Sequence, residues 1–174
     1  MNKGLFANEI DCLTSRILAH PQLVHWLGVF ARDELPDLRR VKRPSALILN
    51  SDPKDKPGQH WLAIFCPKKG PLELFDSFGL PPEYYSLDSH VFTHQRFSYQ
   101  SRQSSYCGHY CIMFIYFRSI DISYSEIIEN LNSNRSSNVD QLVYDLVSKI
   151  HSLCRTFYPC FPLGQCCTPN CVFC

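Results

Sequence analysis

The run Ser104-Ser105-Tyr106-Cys107-Gly108-His109-Tyr110-Cys111-Ile112-Met113-Phe114-Ile115-Tyr116-Phe117 decides how the rest of this chain is read. From Cys107 to Phe117 it is apolar on almost every side, the pattern of a helix buried all round and central to a core. Upstream, Ser45-Ala-Leu-Ile-Leu49 reads as a strand ended by the turn-rich segment Asn50 to Gly58. The short apolar runs His60–Phe65 and Leu72–Phe75, separated by Cys66-Pro67-Lys68-Lys69-Gly70-Pro71, form a hairpin signature. Residues 79–90 read as loop and 91–99 as a further strand. Ile10, Leu13, Ile17 and Leu18 place a helix over 7–20 that Pro21 closes, and a second short apolar pattern covers 21–31. Downstream, helices are expected near 123–131 and 138–155. Strands in the middle with helices at both ends predict an α+β fold.

Length and composition exclude several classes. The 174 residues suit one ordinary domain, and 45% hydrophobic against 19% charged residues excludes a mostly disordered chain. A net charge of +1 gives no bulk reason to expect a polyanionic partner. No apolar run approaches the ~20 residues of a membrane span, and the N-terminal residues do not read as a secretory signal, so a soluble intracellular protein is expected. The chain has 10 cysteines. Cys12, Cys66, Cys107, Cys111 and Cys154 are scattered and read as reduced thiols, while Cys160, Cys166, Cys167, Cys171 and Cys174 crowd the C-terminus.

Three features carry chemistry. A hairpin loop centred near Lys68 sets His60 opposite Asp76, or within one residue of it, at the open end of the ribbon. There a carboxylate can hold an imidazole; a structural hydrogen bond is the plainer reading of such a pair. Cys107 falls in the first turn of its helix, which Ser104 or Ser105 can cap. The helix dipole and open N–H groups there favour thiolate, although a free cysteine is ordinarily a small buried hydrophobe, the reading given to Cys111. Gly108 is expected to clear the approach to the sulfur. Gln100, at the end of the last predicted strand, can offer its amide to an oxyanion beside the Cys107 backbone N–H. Gln103 is its rival, and an exposed loop glutamine is the plain reading of either.

His60-Trp61, then Phe75-Asp76-Ser77-Phe78-Gly79, then Gln100 with Cys107-Gly108 resemble, in order and spacing, the adenovirus-type cysteine proteases (adenain, peptidase family C5). These share a clan with the Ulp/SENP proteases of ubiquitin-like proteins. Trp26-Leu-Gly-Val-Phe30, Ala46-Leu-Ile-Leu-Asn50 and Asn138-Val-Asp-Gln-Leu142 extend the resemblance over about residues 7–155. It implies a papain-like-clan fold, with a central mixed or antiparallel sheet packed by helices around one that starts at the nucleophilic Cys. It further implies Cys107 as nucleophile, His60 as proton carrier, Asp76 as its orienting partner, and Gln100 with the Cys107 amide as oxyanion hole. Adenain has Glu at the third position, and Asp76 is the choice of the Ulp/SENP branch.

The resemblance implies a monomeric endopeptidase that matures viral precursor proteins at Gly-containing, small-residue motifs, acting in host nucleus and virion, with no cofactor required for chemistry. Family members are activated by DNA and by a viral peptide tethered through a cysteine. Ser89 stands at that tethering position, and Arg39, Arg40, Lys42 and Arg43 are the candidate DNA contacts. Residues 1–157 are expected to be the protease domain and 158–174 a Cys-rich tail, in which Cys166, Cys167, Cys171 and Cys174 have enough thiols for zinc. The competing readings are a deubiquitinating or deSUMOylating isopeptidase, an acyltransferase of the same clan, and an inactive binding module with a metal-binding tail.

Overall fold

The computed structural model describes residues 4–19, 23–135 and 138–157, with side chains as far as residue 153. Its elements run α1 (Ala7–Leu18), β1 (His25–Phe30), β2 (Ser45–Asn50), β3 (Trp61–Cys66), β4 (Leu72–Phe75), β5 (Phe92–His94), α2 (Cys107–Ser119), α3 (Tyr124–Ser133) and α4 (Val139–Phe157). The strands form one five-stranded mixed sheet in chain order. The two inner ladders, β2–β3 and β3–β4, are antiparallel, and the edge strands β1 and β5 join in parallel.

Both faces of this sheet are covered, and for that reason β2 and β3 read as unbroken apolar runs instead of alternating ones. Ala46, Ile48, Ala63, Phe65 and Phe75 face a core shared with α1, α2 and α4. Leu47, Leu49, Leu62, Ile64, Leu72 and Leu74 face a second core closed by loop residues Leu38 and Tyr85 with Leu80 and Leu87. Helix α2 lies in the first core with Tyr110, Cys111, Ile112, Phe114 and Ile115 fully buried. The central helix expected from the sequence is thus the structural centre. The apolar pattern over 21–31 resolves into β1, which carries a register shift between Trp26 and Gly28. The strand expected over 91–99 is only three residues long, because the chain leaves the sheet after His94. The loop over 79–90 contains two 3-10 turns, Pro82–Tyr85 and Ser89–Val91.

The sheet and α2 are joined by charge as well as by packing. Arg118, near the end of α2, places Nε 2.7 Å from Oε2 of Glu73 on β4, each side chain only 11% exposed. Its guanidinium also lies 4.4 Å from the Phe65 ring centre and bonds the Ile122 carbonyl. Burial pushes the Glu73 carboxyl up against the pull of Arg118. Truncating Arg118 strands a buried carboxylate, so Arg118→Leu is expected to lower stability by roughly 3–5 kcal/mol. Chemical denaturation measures this, and adding Glu73→Gln to the same protein should restore part of the loss.

Candidate active site

The β3–β4 hairpin brings His60 and Asp76 together, but not in the register the sequence suggested. Ala63 pairs with Phe75, Ile64 with Leu74 and Phe65 with Glu73, two residues displaced from a loop centred near Lys68. Displacement by an even number keeps both side chains on one face and makes them diagonal neighbours instead of opposed ones. His60 lies just ahead of β3 and Asp76 just after β4, where the ribbon opens. There His60 Nε2 sits 2.6 Å from Asp76 Oδ1. The His60 ring stacks on Phe78, centroids 4.6 Å apart, and both His60 and Asp76 are buried.

Asp76 is held from four sides. Oδ1 accepts from His60 and from the Phe78 amide at 2.9 Å; Oδ2 accepts from the Leu80 amide at 2.8 Å and the Tyr85 hydroxyl at 2.8 Å. These contacts use the full acceptor capacity of a carboxylate. Its carbonyl takes the Gly79 amide at 2.9 Å, closing a tight turn, and the Gln95 side-chain amide as well. Gly79 has φ +69°, and a Cβ there would stand 2.5 Å from the Phe97 backbone, so only glycine fits this corner.

Cys107 begins α2, as expected. The cap differs from the expectation: Tyr106 is the N-cap residue and no side chain caps the helix, while the Ser104 hydroxyl is buried without a partner. The first-turn N–H groups, that of Cys107 among them, therefore have no intrahelical acceptor. Gly108 also acts differently from the sequence reading. A Cβ on it would meet Ile10 Cδ1 at 3.0 Å and Leu5 Cβ at 3.3 Å, so the missing side chain makes room for α1. Leu5 is held in turn by its carbonyl, which accepts from Trp61 Nε1 at 3.1 Å.

Burial disfavours charge on His60, but the Asp76 hydrogen bond, interaction with the Cys107 sulfur and the charges of both groups outweigh it and raise its pKa to about 9. With Nε2 given to Asp76, Nδ1 is buried and no oxygen or nitrogen of the protein bonds it. It is the nitrogen left for the thiol.

Gln100 is buried and oriented. A carbonyl can only accept, so the bond to Ser104 O at 2.9 Å identifies the amide nitrogen; Oε1 takes the Ser77 hydroxyl at 2.6 Å. One N–H remains. Gln103 is exposed in the loop and takes no part. Cys111 is fully buried, and burial pushes its thiol well up, which keeps it neutral. Tyr85, Gln95 and Ser77 were missed by the sequence reading. Tyr85 lies in a segment that reads only as loop, and nothing in its local pattern aims it at Asp76.

The basic cluster lies elsewhere. Arg43 bonds the carbonyls of Pro67 and Gly70 at the hairpin turn, the end of the sheet opposite His60. Arg39 and Arg40 both pair with Asp37, and Lys42 is exposed. The Ser89 hydroxyl bonds the Glu83 carboxylate and lowers its pKa. Cys166, Cys167, Cys171 and Cys174 lie outside the described residues, as does the tail over 158–174. Among the described residues no three metal-ligating side chains cluster, and no helix is long and apolar enough to cross a membrane.

In sequence the chain matches no protein-family model and no curated protein. In three dimensions it is similar to the crystal structure of the ASFV pS273R protease, with TM-score 0.50 and 20% identity, covering 76% of this chain and 66% of that one. The central domain of the uncharacterized Lpg1148 protein from Legionella pneumophila aligns at TM-score 0.42 and 11% identity, over 85% of this chain and 99% of that domain. The likeness to the protease shows the fold: a mixed α+β architecture of the Ulp-like cysteine-protease type. It does not single out the adenain branch.

The sign of the His60 shift fixes its effect on stability. A histidine whose folded pKa is about 9 against 6.5 unfolded stabilises the fold fully below pH 6.5 and loses that contribution as pH rises through 9. Urea midpoints are therefore expected to fall between pH 6.5 and 9 for the natural protein, and to fall less over that window for His60→Gln.

Proposed function

We propose that the chain is a cysteine endopeptidase using Cys107, His60 and Asp76. The observation that carries this reading is the buried 2.6 Å bond from His60 to Asp76, which leaves His60 Nδ1 for the thiol at the uncapped start of α2. Cys107 Sγ attacks the scissile carbonyl carbon, and its proton resides on His60. The oxyanion forms against the Cys107 backbone N–H and the remaining N–H of Gln100, whose orientation is set in advance by Ser104 and Ser77. His60 then gives its proton to the departing amine, and water cleaves the thioester with His60 as base. Asp76 keeps the imidazole in the tautomer and direction this sequence needs.

The proposed substrates are protein precursors cut at Gly-containing, small-residue motifs. Viral maturation, with DNA contacts through Arg39, Arg40, Lys42 and Arg43, is the setting the family resemblance favours. One observation favours a second reading, an isopeptidase acting on ubiquitin-like conjugates. The third member is Asp76, whose short side chain is what allows it to accept from the Phe78 and Leu80 amides while reaching His60.

A peptide library made from a proteome, treated with the natural protein or Cys107→Ala, with and without DNA, separates these outcomes. New N-termini only with Cys107 present establish the endopeptidase and its motif. Reaction with a ubiquitin-like vinyl sulfone and no new N-termini points to the isopeptidase. In the active assay, Cys107→Ala is expected to abolish turnover while keeping the fold, and normal turnover would overturn the assignment. Asp76→Ala should cost roughly 10–100-fold less than His60→Ala, since orientation is a smaller contribution than proton transfer. The alkaline limb of kcat/KM should lie near pH 9, where His60 loses the proton it must donate.

A further inference from the structure

We infer that Tyr85 is a positioning residue of this site, acting on His60 through the carboxylate of Asp76; the inference rests on the triad proposed above. Of the four donors to the Asp76 carboxylate, two are backbone amides of its own turn and one is His60 itself. Tyr85 is the fourth, and the one donor whose side chain can be altered without changing the turn or the triad. It occupies the second acceptor site on Oδ2, the oxygen that does not touch His60, so its strength determines how much negative charge remains for Oδ1.

The local chain is built to deliver this hydroxyl. Pro82 opens the 3-10 turn Pro82–Tyr85, and Ser86 reverses the chain in the left-handed region at φ 60°. The Ser86 amide closes on the Glu83 carbonyl and the Leu87 amide on the Pro82 carbonyl, each at 3.0 Å. The Tyr85 ring is buried in the second core, against the face of the sheet away from α2, and lies nearly parallel to the His60 ring at 6.4 Å. The phenol is therefore immobilised by packing, and its only polar atom points at Oδ2. Burial and the Asp76 charge both hold its proton in place, so it is a donor at every pH the protein experiences.

Replacing the hydroxyl by hydrogen concentrates charge on Oδ1 and frees one side of the carboxylate. His60 should hold its proton more tightly and its ring should be less well fixed. In the peptidase assay Tyr85→Phe is expected to lower kcat by roughly tenfold while KM stays within about a factor of two.

The discriminating measurement is an NMR titration of His60 in protein carrying Cys107→Ala. That background removes the thiol and leaves Asp76 and Tyr85 as the titratable groups against the imidazole, with Cys111 neutral nearby. Adding Tyr85→Phe should raise the His60 midpoint and speed solvent exchange of its Nε2 proton. Installing 3-fluorotyrosine at position 85, a stronger donor of almost the same shape, should lower the midpoint. A tyrosine that only fills space would move neither, and an unchanged midpoint in both proteins overturns the inference. If Tyr85→Phe fails to fold, the fluorotyrosine protein alone decides, since it keeps the ring and the hydroxyl. Because the titration needs no turnover, a chain that cleaves no peptide would sink the proposed function without disturbing this readout.

Discussion

The Asp76 carboxylate is the point on which the described site depends. Its two oxygens accept from two main-chain amides, a phenol and an imidazole, and its own carbonyl takes an amide and a glutamine side chain. A buried carboxylate is tolerated only with such complete satisfaction. The donors come from four parts of the chain: three amides from the turn after β4, and one group each from the end of the 3-10 segment, the loop after β5 and the residue before β3. The carboxylate thus organises the loops on one end of the sheet, and His60 is oriented by the same network that orders them.

The Cys107 side is organised differently, by exclusion of side chains. The start of α2 has no capping side chain, and Gly108 lets α1 approach until Ile10 and Leu5 touch the backbone of the first turn. The N–H groups there are left to face the site because no capping side chain accepts from them. His60 is positioned by hydrogen bonds and the helix turn that carries Cys107 by packing around Gly108, and the two meet where β3 abuts α2.

Much of this was legible in the sequence. The run Cys107–Phe117 has no polar face and reads as an interior helix, and the paired apolar segments around Lys68 read as a hairpin. Asp76 was placed near His60 by counting from the turn. The register differs by two residues because the loop is centred on Lys69, one residue later than the sequence suggests, and the pairing survives because side-chain direction in a strand repeats every two residues. What could not be read was whatever depends on contacts between distant loops. Tyr85 and Gln95 sit in segments with no periodicity, and the direction of Gln100 depends on Ser77 across the sheet end. Gly108 was visible as a glycine next to a cysteine, yet its reason lies on α1, far away in the chain.

The strand order has a consequence for how reactivity arises during folding. His60 and Asp76 are 16 residues apart, flanking neighbouring strands, so their meeting is a local event that the β3–β4 hairpin brings about. Cys107 arrives from beyond β5, on a helix that joins the sheet only when the first core closes around it. The His60–Asp76 pair can therefore form ahead of the helix that carries Cys107, and the two sides come into register only when that core closes. The juxtaposition of His60 and Asp76 with Cys107 thus becomes a report of completed folding, since it is assembled from a local hairpin and a distant helix.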